Sequence, residues 1–279
     1  MDYSVKSIAL TDVKKTNTAR RGHIPSKVQA DTLFTFTTSV KYLMDSLEKR
    51  MIPPRYCAED IRYLRIKKIK KIAYPMKCFC DINLHRLEDH LSWYGYYGLA
   101  FSKEWGMKHG VQPVQYINPD SEMRKDYTRA FGAALEIEPK TQSSQTKALK
   151  DYMLHQLMYY KPYSGTIENR NTHKMQRKCF TDECEWRYVP DVTKEGFCQV
   201  FYDESIINAE SLRETSNALS DIRSVSLLFT FDDVKYIIVK TMEDFTKLHE
   251  SISSWNLGQS EEHSLISKIL VWDNSKGDF

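Results

Sequence analysis

Between Asp31 and Trp272, short stretches with a two-residue hydrophobic period alternate with longer stretches of helical period, and this interleaving points to a mixed fold. Leu33, Phe34 and Phe36 among threonines read as a β-branched and aromatic strand. Val40, Leu43, Met44 and Leu47 then fall on one helical face, which predicts a helix over 39–49 stopped by Pro53-Pro54. Further strands are expected at 76–82, 99–101, 113–117, 180–189, 199–202 and 266–272. Helices are expected at 84–93, 121–135, 143–158, 205–219 and 242–253, and Ser102 has the position of an N-cap for a short helix. The stretch from Tyr163 to Arg177 reads as a long polar loop, and 227–231 with 235–240 as a hairpin turning at Asp232-Asp233. No repeat at fixed period is present. The fold class expected is α+β: one domain over 31–279 preceded by a loosely held arm, 1–30, with one short strand near Ile8.

Composition narrows the function classes. A net charge of +3 over 279 residues is too small for a surface wholly built to hold nucleic acid. No stretch approaches the roughly 20 apolar residues of a membrane helix. Residues 1–15 lack the apolar centre of a secretory signal. The six cysteines are irregularly spaced and fit reduced thiols, so a cytoplasmic protein with no membrane partner is expected.

The richest segment is Glu183-Cys184-Glu185-Trp186-Arg187-Tyr188. On a strand, Glu183, Glu185 and Arg187 share one face, with the carboxylates about 7 Å apart, or twice the rise per residue. Such a pair can hold a ribose hydroxyl, stabilise an oxocarbenium-like transition state and orient a nucleophile. The alternative is the wet face of an edge strand, with Arg187 screening the two acids. Trp93 to Ser102 offers Tyr94, Tyr96 and Tyr97 beside Gly95 and Gly98, as a surface for a ring or as a helix-to-strand turn. Cys78 and Cys80 at strand spacing fit core packing, His85 and His90 point about 140° apart on a helix, and no metal site is expected. The run Arg65 to Lys71 reads as an amphipathic helix over Ile66, Ile69 and Ile72. A second reading has Lys67, Lys68, Lys70 and Lys71 touching RNA phosphates.

Several segments together resemble the AbiGi-type abortive-infection proteins. They are Leu33 to Thr37, Pro53-Arg55-Tyr56 with Glu59-Asp60, Cys78 to Ile82, His90 with Tyr94-Gly95, Gly98 to Gly106, Pro113 to Tyr116, Glu183 to Arg187 and Lys235 to Val239. The resemblance spans 31 to about 272 and is most specific over 76–117. It implies a bacterial anti-phage role, in a family described as the antitoxin-like half of a two-gene system. The same order of motifs is distantly similar to the ADP-ribosyltransferase fold. That similarity implies NAD as a cofactor, with Thr35 in place of the NAD-gripping histidine, Tyr94, Tyr96 or Tyr97 supplying the aromatic, and Glu183 or Glu185 the acid. Glu185 would stabilise the ribosyl transition state, Glu183 would orient the nucleophile, and Arg187 would sit beside them.

Three functions follow as expectations. The first is an ADP-ribosyltransferase-like effector acting on a host or phage macromolecule. The second is a non-catalytic antitoxin or sensor that binds a cognate toxin or phage trigger protein. The third is an RNA-binding or RNA-cleaving module using the basic run and the loop near 168–178.

Overall fold

The computed structural model describes residues 24–275 apart from 68, 138–142 and 170–171. The expected strand near Ile8, most of the expected arm and Lys68 lie outside the described residues.

The fold is mixed α+β around an eight-stranded sheet among the described residues. Its strands are β1 (Thr32–Thr37), β2 (Arg55–Asp60), β3 (Lys71–Cys80), β4 (Tyr97–Ser102), β5 (Gln112–Pro113), β6 (Glu185–Tyr188), β7 (Val234–Val239) and β8 (Ile269–Val271). The order is β8-β7-β4-β1-β3-β6-β5, with β2 also paired to β3. Pairing is antiparallel except between β7 and β8.

Alternation along the strands divides the core between the two faces. Leu33, Leu99, Phe101 and Phe79 meet Leu43 and Leu47 of the helix Val40–Lys49 and Leu248 and Ile252 of the helix Met242–Ser254. On the other face Phe34, Cys80 and Ile238 pack on Leu87 and Leu91 of the helix Leu87–Tyr94. Farther along that face Ile72, Tyr74 and Met76 of β3 meet Tyr127 and Phe131 of the helix Glu122–Glu136 and Met153 and Leu157 of the helix Ser144–Tyr159. Each such aliphatic or aromatic side chain removed from water contributes about 1.5–3 kcal/mol.

One irregularity positions the site. β1 pairs with β4 over its full length, from Thr32↔Ser102 to Thr37↔Tyr97, but meets β3 only at Phe34↔Cys80. Beyond that contact β1 and β3 separate, and β2 takes up the first six residues of β3. The resulting wedge is lined on one face of the sheet by Thr35, Thr37, Tyr97, Arg55 and Lys77, and on the other by Phe34, Phe36, Cys57, Cys78 and Glu185.

Three expected elements are corrected. The basic run is no helix: β2 and β3 pair from Asp60↔Lys71, so the residues between must turn back. They do so through a 3-10 turn, Arg62–Leu64, and Arg65 in the left-handed region, closed by the Ile61 N–H donating to the Lys70 carbonyl. The polar stretch after Tyr163 is no loop but a hairpin, Ser164–Glu168 with Met175–Cys179. The hairpin expected at 227–240 is absent. Leu227–Leu228 pairs with Met51–Ile52, a Thr230–Asp233 capping box closes a 3-10 turn, and β7 passes between β4 and β8. The first helix ends at Lys49 as expected, but Arg50 in the left-handed region stops it, ahead of Pro53-Pro54. Ser102 caps as expected, accepting from the Trp105 N–H at 3.0 Å. Among the described residues no helix is long and apolar enough to cross a membrane.

Candidate functional site

Glu183 does not lie on a strand. It ends the 3-10 turn Phe180–Glu183, and Cys184 (φ 42°) adopts the left-handed backbone that turns the chain into β6. A non-glycine residue there is uncommon, and its consequence here is that Glu183 and Glu185 reach the same lysine. β6 is not an edge strand, because β5 covers its far side at Trp186↔Pro113. The reading of a wet face is therefore corrected: Glu183, Glu185 and Arg187 are 3%, 5% and 0% exposed.

Burial of three ionised groups demands counter-charges, and the fold supplies them from distant segments. Lys161 follows the helix Ser144–Tyr159 on the short strand Tyr160–Pro162, held by parallel pairing to Gln115–Ile117. Its ammonium donates to both Glu183 and Glu185. Lys178, from the 164–179 hairpin, forms an ion pair with Glu183, its ammonium 2.9 Å from Oε1. The same ammonium sits over the rings of Trp93 and Tyr94 at 4.6 and 4.5 Å. Arg187 donates from Nε to Glu185 Oε1 at 2.7 Å and from Nη1 to the Met158 carbonyl at 2.9 Å, and lies 3.4 Å from Glu59. Tyr94 donates its phenol to Glu183, and Tyr116 accepts the Glu185 backbone N–H at 2.9 Å.

The titration of the cluster follows from these contacts. Burial alone would raise the Glu185 carboxyl, but Arg187 and Lys161 outweigh it and hold the acid well below the usual range. Glu183 is likewise lowered, with Lys161 and Lys178 overcoming burial. Lys161 is pushed up because the two glutamates outweigh its own desolvation. His90 behaves oppositely: burial dominates and holds its imidazole down at about 3, so it is neutral. His90 packs between the rings of Phe36 and Tyr94, at 5.6 and 4.6 Å.

Of the residues singled out in the sequence, Glu183, Glu185, Arg187 and Tyr94 come together. Thr35, Tyr96 and Tyr97 do not join them. Thr35 is buried and faces the first core beside Leu99 and Tyr97, on the opposite side of the sheet from the acids. Tyr97 donates to Asp244 at 3.2 Å, and Tyr96 to Glu88 at 3.3 Å. A dinucleotide gripped by Thr35 and reaching Glu185 would have to cross the sheet, and the Lys161 ammonium already bridges the two acids. These residues do not fit together as one NAD site. Lys67, Lys70 and Lys71 are exposed on and beside the turn before β3.

Sequence reasoning missed Lys161, Lys178, Glu59 and the place of His90. The only signal for Lys161 is a lysine set directly behind a buried apolar helix face. Lys178 falls just past the stretch expected as a loop, at the end of a hairpin strand that the sequence pattern does not mark.

A family model described as "Putative abortive phage resistance protein AbiGi, antitoxin" matches residues 50–240, more than half of the 279. The chain belongs to the AbiGi family. The AbiGi match takes in Glu59, His90, Tyr94, Lys161, Lys178, Glu183, Glu185 and Arg187, whereas Thr35 precedes it. An abortive phage resistance protein AbiGi of Lactococcus lactis subsp. cremoris is 31% identical over 245 residues, covering 81% of this chain and 98% of that protein. No solved structure matches the chain.

Proposed function

We propose that this AbiGi protein serves bacterial phage defence as a non-catalytic, antitoxin-type subunit that binds and restrains a cognate toxin. The observation that carries this reading is the Lys161 ammonium shared by Glu183 and Glu185. A catalytic carboxylate must be free to touch a substrate or a nucleophile. Here both acids are buried and committed to cations, and their ionisation goes into holding four segments together. The family description and the name of the Lactococcus relative support the defence role.

Expression of the chain alone is then harmless, and a cognate toxin is tolerated and co-purifies only when the chain is present. Growth arrest by the chain alone, abolished by Glu185→Gln with loss of label transfer from NAD, would instead make it an ADP-ribosyltransferase-like effector. The exposed Lys67, Lys70 and Lys71 define a third outcome: RNA affinity that weakens with salt and drops when they are neutralised.

A further inference from the structure

Beside the acid cluster lies a cavity of about 150 Å³ on the helix-covered face of the wedge. One wall is apolar, with Phe34 and Phe36 presenting rings only 3° from parallel, and Glu59, Lys161, Glu183 and Glu185 line the other end. A cavity of this volume has room for a benzene-sized ring.

Two of its side chains, His90 and Cys78, open onto this space. Among the described residues the His90 ring makes ring contacts with Phe36 and Tyr94 but no hydrogen bond. Being neutral, it brings one N–H donor and one acceptor nitrogen to the cavity. Cys78, in the middle of the sheet, is nevertheless exposed, and it lines the same space. Its neighbours Tyr74, Met76 and Cys80 on the same strand face are fully covered.

Charge decides what such a space can take. Three carboxylates (Glu59, Glu183 and Glu185) are matched by three cations (Lys161, Lys178 and Arg187) at its polar end. An ion of either sign would enter without a counter-charge and lose its hydration. An uncharged ring with edge donors or acceptors loses little and satisfies His90.

We infer that this cavity binds a flat, uncharged, nucleobase-sized ring that hydrogen-bonds to His90. The cavity continues into a wider groove of about 780 Å³, to which Glu59, Ala58, Lys161 and Ile167 are common. The ring can therefore arrive free or carried on a sugar that stays in the groove, beside Arg62 and Lys71. This inference goes beyond the partner-binding reading and does not depend on it.

The test is calorimetric titration and thermal unfolding of the full chain with adenine, uracil, their nucleosides, and the matched pair nicotinamide and nicotinate. Saturable binding of at least one uncharged ring with a raised Tm is expected, and nicotinate should bind at least tenfold more weakly than nicotinamide. Binding should fall at least tenfold in His90→Phe, which keeps an aromatic ring but removes the donor and acceptor, and be lost in Cys78→Phe, which fills the space. Binding of nucleosides supports a ring carried on a sugar, and binding of free rings alone supports a free metabolite. No binding by the wild-type chain up to millimolar ring overturns the inference, and so does binding that ignores the His90 substitution or favours nicotinate.

Discussion

Lys161 is the residue on which the site turns, because one buried ammonium serves two buried carboxylates. Removing one partner of a buried pair leaves an uncompensated charge, at a cost of about 3–5 kcal/mol. Lys161→Met should therefore lower stability by about that amount in urea unfolding. Adding Glu183→Gln restores the charge balance and should recover part of the loss. No recovery would mean that contact geometry, not charge, sets the cost. His90 makes a separate prediction with pH. Its folded pKa of about 3 lies below the unfolded value of 6.5, so between these the unfolded chain binds more protons and stability rises with pH. The slope is on the order of 1.4 kcal/mol per pH unit inside that window. Glu183 and Glu185, also lowered, lose their contribution as pH falls below the ordinary carboxylate range near about 4.3. Stability measured from pH 5 to 6.5 thus isolates His90, and His90→Phe should flatten it. An unchanged slope would assign the pH dependence to other groups.

At the scale of elements, the turn between the helix Leu87–Tyr94 and β4 fixes where Tyr94 stands. Gly95 there has φ +108°, and a Cβ would lie 2.2 Å from the Thr37 carbonyl oxygen. Gly110 also has positive φ, +75°, but open space around it. Gly95→Ala should cost about 3 kcal/mol or more, combining backbone strain with a clash against main chain, and Gly110→Ala about 1 kcal/mol. Equal shifts in urea midpoint would show that strain alone matters at both. The strand–helix alternation itself was legible, since Leu43 with Leu47 and Leu248 with Ile252 carry helical period and β1 and β4 carry strand composition. What failed were segments whose partners are distant. Ile66, Ile69 and Ile72 have helical spacing, yet the pairing of β2 with β3 overrode it. The hairpin strand Met175–Cys179 is largely exposed, so no apolar alternation marked it. The shared face of Glu185 and Arg187 was readable from alternation, whereas Glu183 joins them through the left-handed turn at Cys184, and the burial of all three was not readable. It depends on Lys161 and Lys178, which reach them from outside the segment.

For the whole molecule, β3 is the strand that three of the four core regions among the described residues have in common. It gives Ile72, Tyr74 and Met76 to the cluster under the helices Glu122–Glu136 and Ser144–Tyr159, Phe79 to the first cluster and Cys80 to the third. Arg187 reinforces the connection, donating from β6 to the Met158 carbonyl while Tyr74 donates to the same carbonyl at 2.7 Å. Regions joined through one largely buried strand should melt together. The tryptophans provide a test, because Trp105, Trp186 and Trp255 belong to the first cluster and Trp272 to the third, and none belongs to the second. Ile72→Ala removes fully buried apolar volume from the second cluster alone and should cost about 2–5 kcal/mol. If β3 couples the clusters, the urea midpoint read by tryptophan fluorescence moves as far as that read by far-UV circular dichroism, although every tryptophan lies outside the altered cluster. A dichroism transition that moves while the fluorescence transition stays in place would mean that the second cluster unfolds separately. Lys161, which leaves that cluster to reach Glu183 and Glu185, would then tie the candidate site to a region able to let go of it.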